Sequence, residues 1–95
     1  MLHNELGDKV GVGKNLIGFA GIAMAEGHPE RATRLLAAAD RLIAAAAGSL
    51  TVSDRAEYTM LVESVRSVLG LGPFEAEWAS GTSLSLKDAI SYAIV

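Results

Sequence analysis

A chain of 95 residues has room for one domain and leaves none for a separate substrate lobe. Its formal charge of −3, with acids and bases interspersed, argues against a general nucleic-acid binder, which would show a basic face. There is no cysteine, so disulfides and thiolate metal sites are excluded.

The hydrophobic share is 51%, much of it alanine, and the aromatic residues are Phe19, Tyr58, Phe74, Trp78 and Tyr92. Alanine favours helix because it loses no side-chain entropy there, which predicts helices packed closely through thin walls. The longest apolar run, Leu16 to Ala25, falls far short of the ~20 residues a membrane helix needs. The opening "MLHNELGDK" carries acids and no apolar core, so no secretory leader is expected and a cytoplasmic location is.

In chain order, residues 1–7 place Leu2 and Leu6 one helical turn apart before Gly7, which reads as the end of a preceding helix. Asp8 then caps a helix over 9–26 with Leu16, Phe19, Ala20, Ala23 and Met24 at i, i+3, i+4 spacing. Gly18 and Gly21, a turn apart, suggest close approach of a second helix there. Gly27 ends it. Pro29 suits the first position of the next helix, over 29–47, because its missing N–H is unneeded there. Ala32, Leu35, Leu36, Ala39, Leu42, Ile43 and Ala46 form its apolar stripe, and Glu30 and Arg34 an i, i+4 pair on the wet side. Gly48 closes it.

Ser53 is the expected cap of a third helix over 54–69, with Asp54 and Glu57 at its positive end and Tyr58, Leu61, Val62, Val65, Val68 and Leu69 facing inward. After "GLG", short capping helices fill 73–94. Pro73 starts one, with Phe74 and Trp78 a turn apart and Gly81 as its stop. Ser85 to Asp88 opens another, whose inner face is Leu86, Ala89, Ile90, Ala93 and Ile94. No stretch alternates with period two. The expected fold is all-α.

The segment Gly7 to Asn15, "GDKVGVGKN", resembles a phosphate loop only superficially. G-x-x-x-x-G-K-[ST] would require glycine at Asp8 and a hydroxyl at Asn15, with an apolar strand before it. These glycines read instead as a helix start and as packing positions. His3 and His28 lack metal-ligand spacing. Glu75 and Glu77, two apart, diverge on a helix and make a poor acid–base pair. No cofactor, metal or enzymatic activity is expected. Arg31, Arg34 and Arg41 share one side of the second helix with Ala38 between them. A solvated face is the expectation, with an acidic protein partner as the functional alternative.

Leu16-x-x-Phe19-Ala20-x-x-Ala23-x-x-x-Gly27 followed by Ala32-x-x-x-Leu36-x-x-Ala39 is similar to the tetratricopeptide helix pair, in which small residues let two helices lie close. Leu16 and Ala23 stand where that pattern has tryptophan and tyrosine. Shifted by the ~34-residue repeat, Leu36 falls on Leu2, but Ala32 falls on Arg66 and the pattern is lost. More specifically, "GHPERATRLLAAA" and "W-A-x-G-x-x-L-S-L-x-x-A-I-x-Y-A" resemble the C-terminal helical segment of bacterial LuxR-type regulators and signal-transduction ATPases, over about residues 6–94. His28 departs from the acid or amide common there. The resemblance implies a regulatory or partner-sensing arm and carries over neither ATP hydrolysis nor DNA binding.

The expectation is therefore a tetratricopeptide-like, non-catalytic module for protein–protein contacts, touching neither nucleic acid nor membrane. Stacked repeats need several units to bury their faces, so a homodimer is expected through an open N-terminal face at Leu2, Leu6, Val10 and Ile17. The alternative is a small ligand-binding or enzymatic bundle with a pocket near Tyr58, Trp78 and Tyr92.

Overall fold

The computed structural model describes residues 5–45, 51–84, 88 and 91–92, with the side chains of 5–12 and 45 outside that description. Four helices follow in order: α1 (Glu5–Ala25), α2 (Pro29–Ala45), α3 (Val52–Leu69) and α4 (Leu71–Thr82). Among the described residues there is no strand, and the fold is all-α. Asp88, Ser91 and Tyr92 are helical, whereas the expected inner face at Leu86, Ala89, Ile90, Ala93 and Ile94 lies outside the described residues, as do Leu2 and Gly48.

The break expected at Gly7 does not occur: α1 begins at Glu5 and runs through Gly7, Gly11 and Gly13. A glycine inside a helix costs about 0.5–1 kcal/mol, which the burial of Leu16, Ile17, Ala20 and Ala23 offsets. Gly13 lets α1 lie close to α2, since a Cβ there would stand 2.8 Å from Ile43 Cγ1 and force that side chain to shift. The expected close approach at Gly18 and Gly21 is absent: a Cβ at Gly18 would face open space, and one at Gly21 would lie an ordinary 3.9 Å from Leu61 Cδ1. The helix ends at Gly27, whose φ of +82° is left-handed. Gly27 N–H donates to the Met24 carbonyl and His28 N–H to the Ala23 carbonyl, a Schellman pair of bonds. Pro29 then opens α2 at its first position, as its chemistry demands.

Helix α2 is the centre of the molecule, packed against α1, α3 and α4. Its expected stripe is buried from Ala32 to Ile43, with Ala46 outside the described residues, but so are Thr33, Ala37 and Ala38, the last of them on the arginine side assigned to water. Only small side chains permit this, because a helix enclosed on several sides needs neighbours that approach its backbone. The closest approach is at Gly81 of α4. A Cβ there would stand 2.4 Å from the Arg34 carbonyl oxygen, 2.7 Å from Arg34 Cα and 2.8 Å from Ala37 Cβ. Gly81 is therefore a packing glycine within α4, which runs on to Thr82, and not the stop that its position suggested. The one buried hydroxyl of this wall, Thr33 Oγ1, donates to the Pro29 carbonyl at 2.8 Å, so it enters the core satisfied.

Thr51 rather than Ser53 caps α3, its hydroxyl accepting from Asp54 N–H at 3.1 Å. Hydrogen bonding to Thr51, and then to the Lys14 ammonium 3.3 Å away, holds the Asp54 carboxyl below the usual carboxylate range. Lys14 thereby also ties α1 to α3. Val65 is fully buried and Tyr58, Leu61 and Val62 pack on the core, while Val68, expected inside, is exposed. The reason is that α4 turns away: Gly70, at φ +84°, is the single residue between α3 and α4, and α4 starts at Leu71, two residues before Pro73. Helix α4 lies chiefly on α2, which leaves Val68 near the end of α3 uncovered.

Substituting Gly81→Ala forces a methyl into backbone and should destabilise the fold by about 1–3 kcal/mol. Gly18→Ala, filling open space in a helix, should stabilise it by up to ~1 kcal/mol. Urea titrations followed by circular dichroism measure both, and equal effects at the two positions would contradict the packing described.

Candidate functional site

The three arginines on α2 are drawn to the chain's own C-terminal segment. Arg34 Nε meets Glu77 Oε1 of α4 at 2.5 Å, and its Nη1 donates to the Tyr92 hydroxyl at 3.1 Å. The bond to Glu77, with help from Tyr92, raises the guanidinium's already high pKa. Arg31 donates to the Tyr92 carbonyl and sits over its ring at 4.6 Å, with Arg34 at 5.9 Å. Arg41 donates to the Leu84 carbonyl. A solvated face was expected here, with Glu30 as the i, i+4 partner of Arg34. The structure gives Arg34 to Glu77, because α4 lies against Arg34 and Ala37 and brings its own carboxylate alongside. Glu26, His28, Glu30, Arg31, Arg34 and Tyr92 line a cleft of about 400 Å³ at this end.

A second depression lies where α3 and α4 diverge from Gly70. Tyr58, Val62, Phe74, Trp78 and Ala79 wall a groove of about 530 Å³, with Arg66 and Glu75 at the end nearer the joint. Phe74 and Trp78 stack one turn apart, centroids 5.5 Å and planes tilted 35°, and the Arg66 guanidinium lies 5.7 Å from the Phe74 centroid. At the other end the Tyr58 hydroxyl donates to Asp40 Oδ1 at 2.9 Å, and burial first, then this bond, raises the phenol's pKa. The expected pocket of Tyr58, Trp78 and Tyr92 is thus divided: the first two share this groove, and Tyr92 lines the arginine cleft.

The third surface is the outward face of α1. Phe19 is 39% and Ile22 54% exposed, beside an open Gly18, with Lys14 and Asn15 completing a shallow patch. Of the residues expected to mediate self-association, Ile17 is only 2% exposed. It faces α2 with Leu16 and Ala20, so it is not on an open face. Leu2 and the side chains of Leu6 and Val10 lie outside the described residues. The exposed face at Phe19 and Ile22 escaped the sequence reading because Phe19 fits the same i, i+3, i+4 pattern as the core. The Gly18 gap beside it was the available signal.

Among the described residues no group of three or more His, Asp or Glu could hold a metal ion. No helix among them is long and apolar enough to cross a membrane.

Because the Tyr58 phenol's pKa is raised in the folded state, its contribution is fully present below the unfolded value near ~10 and is lost as pH climbs above it. Thermal midpoints recorded from neutral pH upward should fall more steeply above that value for the wild type than for Tyr58→Phe. The Tyr92→Ala variant, stripped of its arginine contacts, should be cleaved several-fold faster beyond Leu84 in timed limited proteolysis. Unchanged cleavage would show that the arginines do not hold this segment.

A comparison with family models, curated proteins and solved structures produced no match to this chain.

Proposed function

We propose that this chain is a non-catalytic protein–protein interaction module, tetratricopeptide-like in its packing and akin to the regulatory C-terminal arms that its sequence resembles. The observation that carries the reading is the open α3–α4 groove, walled by Tyr58, Val62, Phe74 and Trp78. Aromatic side chains supply large, rigid contact area at low entropic cost, which is why they are enriched at protein interfaces. The exposed Phe19 and Ile22 add a second apolar surface on α1. The hairpin of α1 and α2, with α3 laid against both, accords with stacked helical repeats whose outer units need a neighbour.

In this reading the partner is a protein, and self-association uses the outward face of α1 rather than Ile17. Sedimentation velocity across the micromolar range should show mass above that of the monomer, and a monomer throughout would overturn self-association. Thermal-shift measurements against nucleotides and small metabolites separate this reading from a ligand-binding bundle. No stabilisation is expected, and a saturable rise in midpoint with one compound would displace the module in favour of a small-molecule site in one of the two clefts.

A further inference from the structure

We propose that the α3–α4 groove is the seat for α1 of a second copy of this chain, giving a head-to-tail association. The inference rests on the module reading above and names its partner. The chain supplies its own template, because α3 already lies against a helix pair, α1 and α2. It does so through Leu61 against Gly21, through Tyr58 bonded to Asp40, and through Asp54 paired with Lys14. The next pair, α3 and α4, offers the same kind of trough with nothing in it among the described residues. The helix to fill it is α1, whose outward face carries Phe19 and Ile22 flanking the open Gly18.

Charge selects the occupant and its direction. On the α1 face Lys14 stands at one end; Glu26, which also borders the arginine cleft, stands one residue past the other, about 18 Å away along the axis at 1.5 Å per residue. The groove has the Asp40 carboxylate beside Tyr58 at its open end and Arg66 at the joint end, about 12 Å from Tyr58 along α3. These long side chains span the difference. Laid with Lys14 toward Asp40 and Glu26 toward Arg66, α1 brings Phe19 and Ile22 over Val62 and Trp78. Glu75 shares the joint end, so Arg66 must serve both carboxylates there, and Lys14 must reach Asp40 while it stays near its own Asp54. The two surfaces differ, so the contact is heterologous and either closes into a ring or grows open-ended.

The test uses two substitutions at exposed positions of the full chain, Ile22→Glu on α1 and Ala79→Glu in the groove, with circular dichroism to verify folding. Wild-type mass in sedimentation velocity should rise beyond a dimer with concentration, and each variant alone should be monomeric. An equimolar mixture of the two variants should form a 1:1 dimer that grows no further, because one intact groove meets one intact α1. Glu26→Lys should weaken wild-type association at least several-fold, and Arg66→Glu in the same chain should restore it. A mixture that stays monomeric overturns the head-to-tail contact. So does a wild-type plateau at dimer that Ile22→Glu abolishes and Ala79→Glu leaves intact, an outcome that keeps the interaction module with a symmetric α1 interface. A wild type that is monomeric at every concentration overturns the proposal together with self-association.

Discussion

The near-contact of two backbones, α4 at Gly81 against α2 at Arg34 and Ala37, governs the arrangement of the whole chain. Once α4 lies that close, α2 has neighbours on several sides and Ala37, Ala38 and Thr33 leave solvent. Alanine buries little area, so each residue contributes modestly through the hydrophobic effect, at roughly 25 cal/mol per Å². What an alanine-rich wall gains instead is proximity: more atoms reach dispersion distance when no long side chain holds the helices apart. Gly13 likewise brings α1 close to α2 near its far end, there against the Ile43 side chain instead of main chain.

The long side chains are then displaced to the edges. Arg31, Arg34 and Arg41 emerge beside the covered alanines and reach Glu77 of α4 and, beyond that helix, the Leu84 and Tyr92 carbonyls and the Tyr92 phenol. Gly70 has the opposite effect. With only one residue between them, α3 and α4 cannot both cover each other and reach α2, and α4 takes α2. The aromatic groove is what that choice leaves behind.

The helical class was legible in the sequence because the i, i+3, i+4 pattern is strong in 16–24, 32–43 and 58–65. Pro29 marked the start of α2 and Gly27 the end of α1 through chemistry that operates locally. The glycines at 7 and 81 misled because a glycine that ends a helix and one that admits a neighbour look alike in one dimension. The second buried side of α2 was illegible for a related reason: Ala37 and Ala38 among arginines carry no volume signal, and only tertiary contact decides whether such a face is wet. The thin walls expected from alanine are present, although the close approach lies at Gly13 and Gly81 and not at Gly18 and Gly21. Of the candidate site, Tyr58 and Trp78 line one groove, while Tyr92 lies at the arginine cleft, which no sequence spacing separates from it.

The Gly81 contact also sets an asymmetry in how this chain tolerates change. Two of the three atoms that exclude a side chain at 81 belong to the main chain of residue 34, which every amino acid there possesses. Position 34 can therefore drift, at the cost of its bonds to Glu77 and Tyr92, without ever making room at 81. In lineages descended from this chain, glycine at 81 should persist with no compensating substitution at 34, a constraint invisible to any search for covarying pairs.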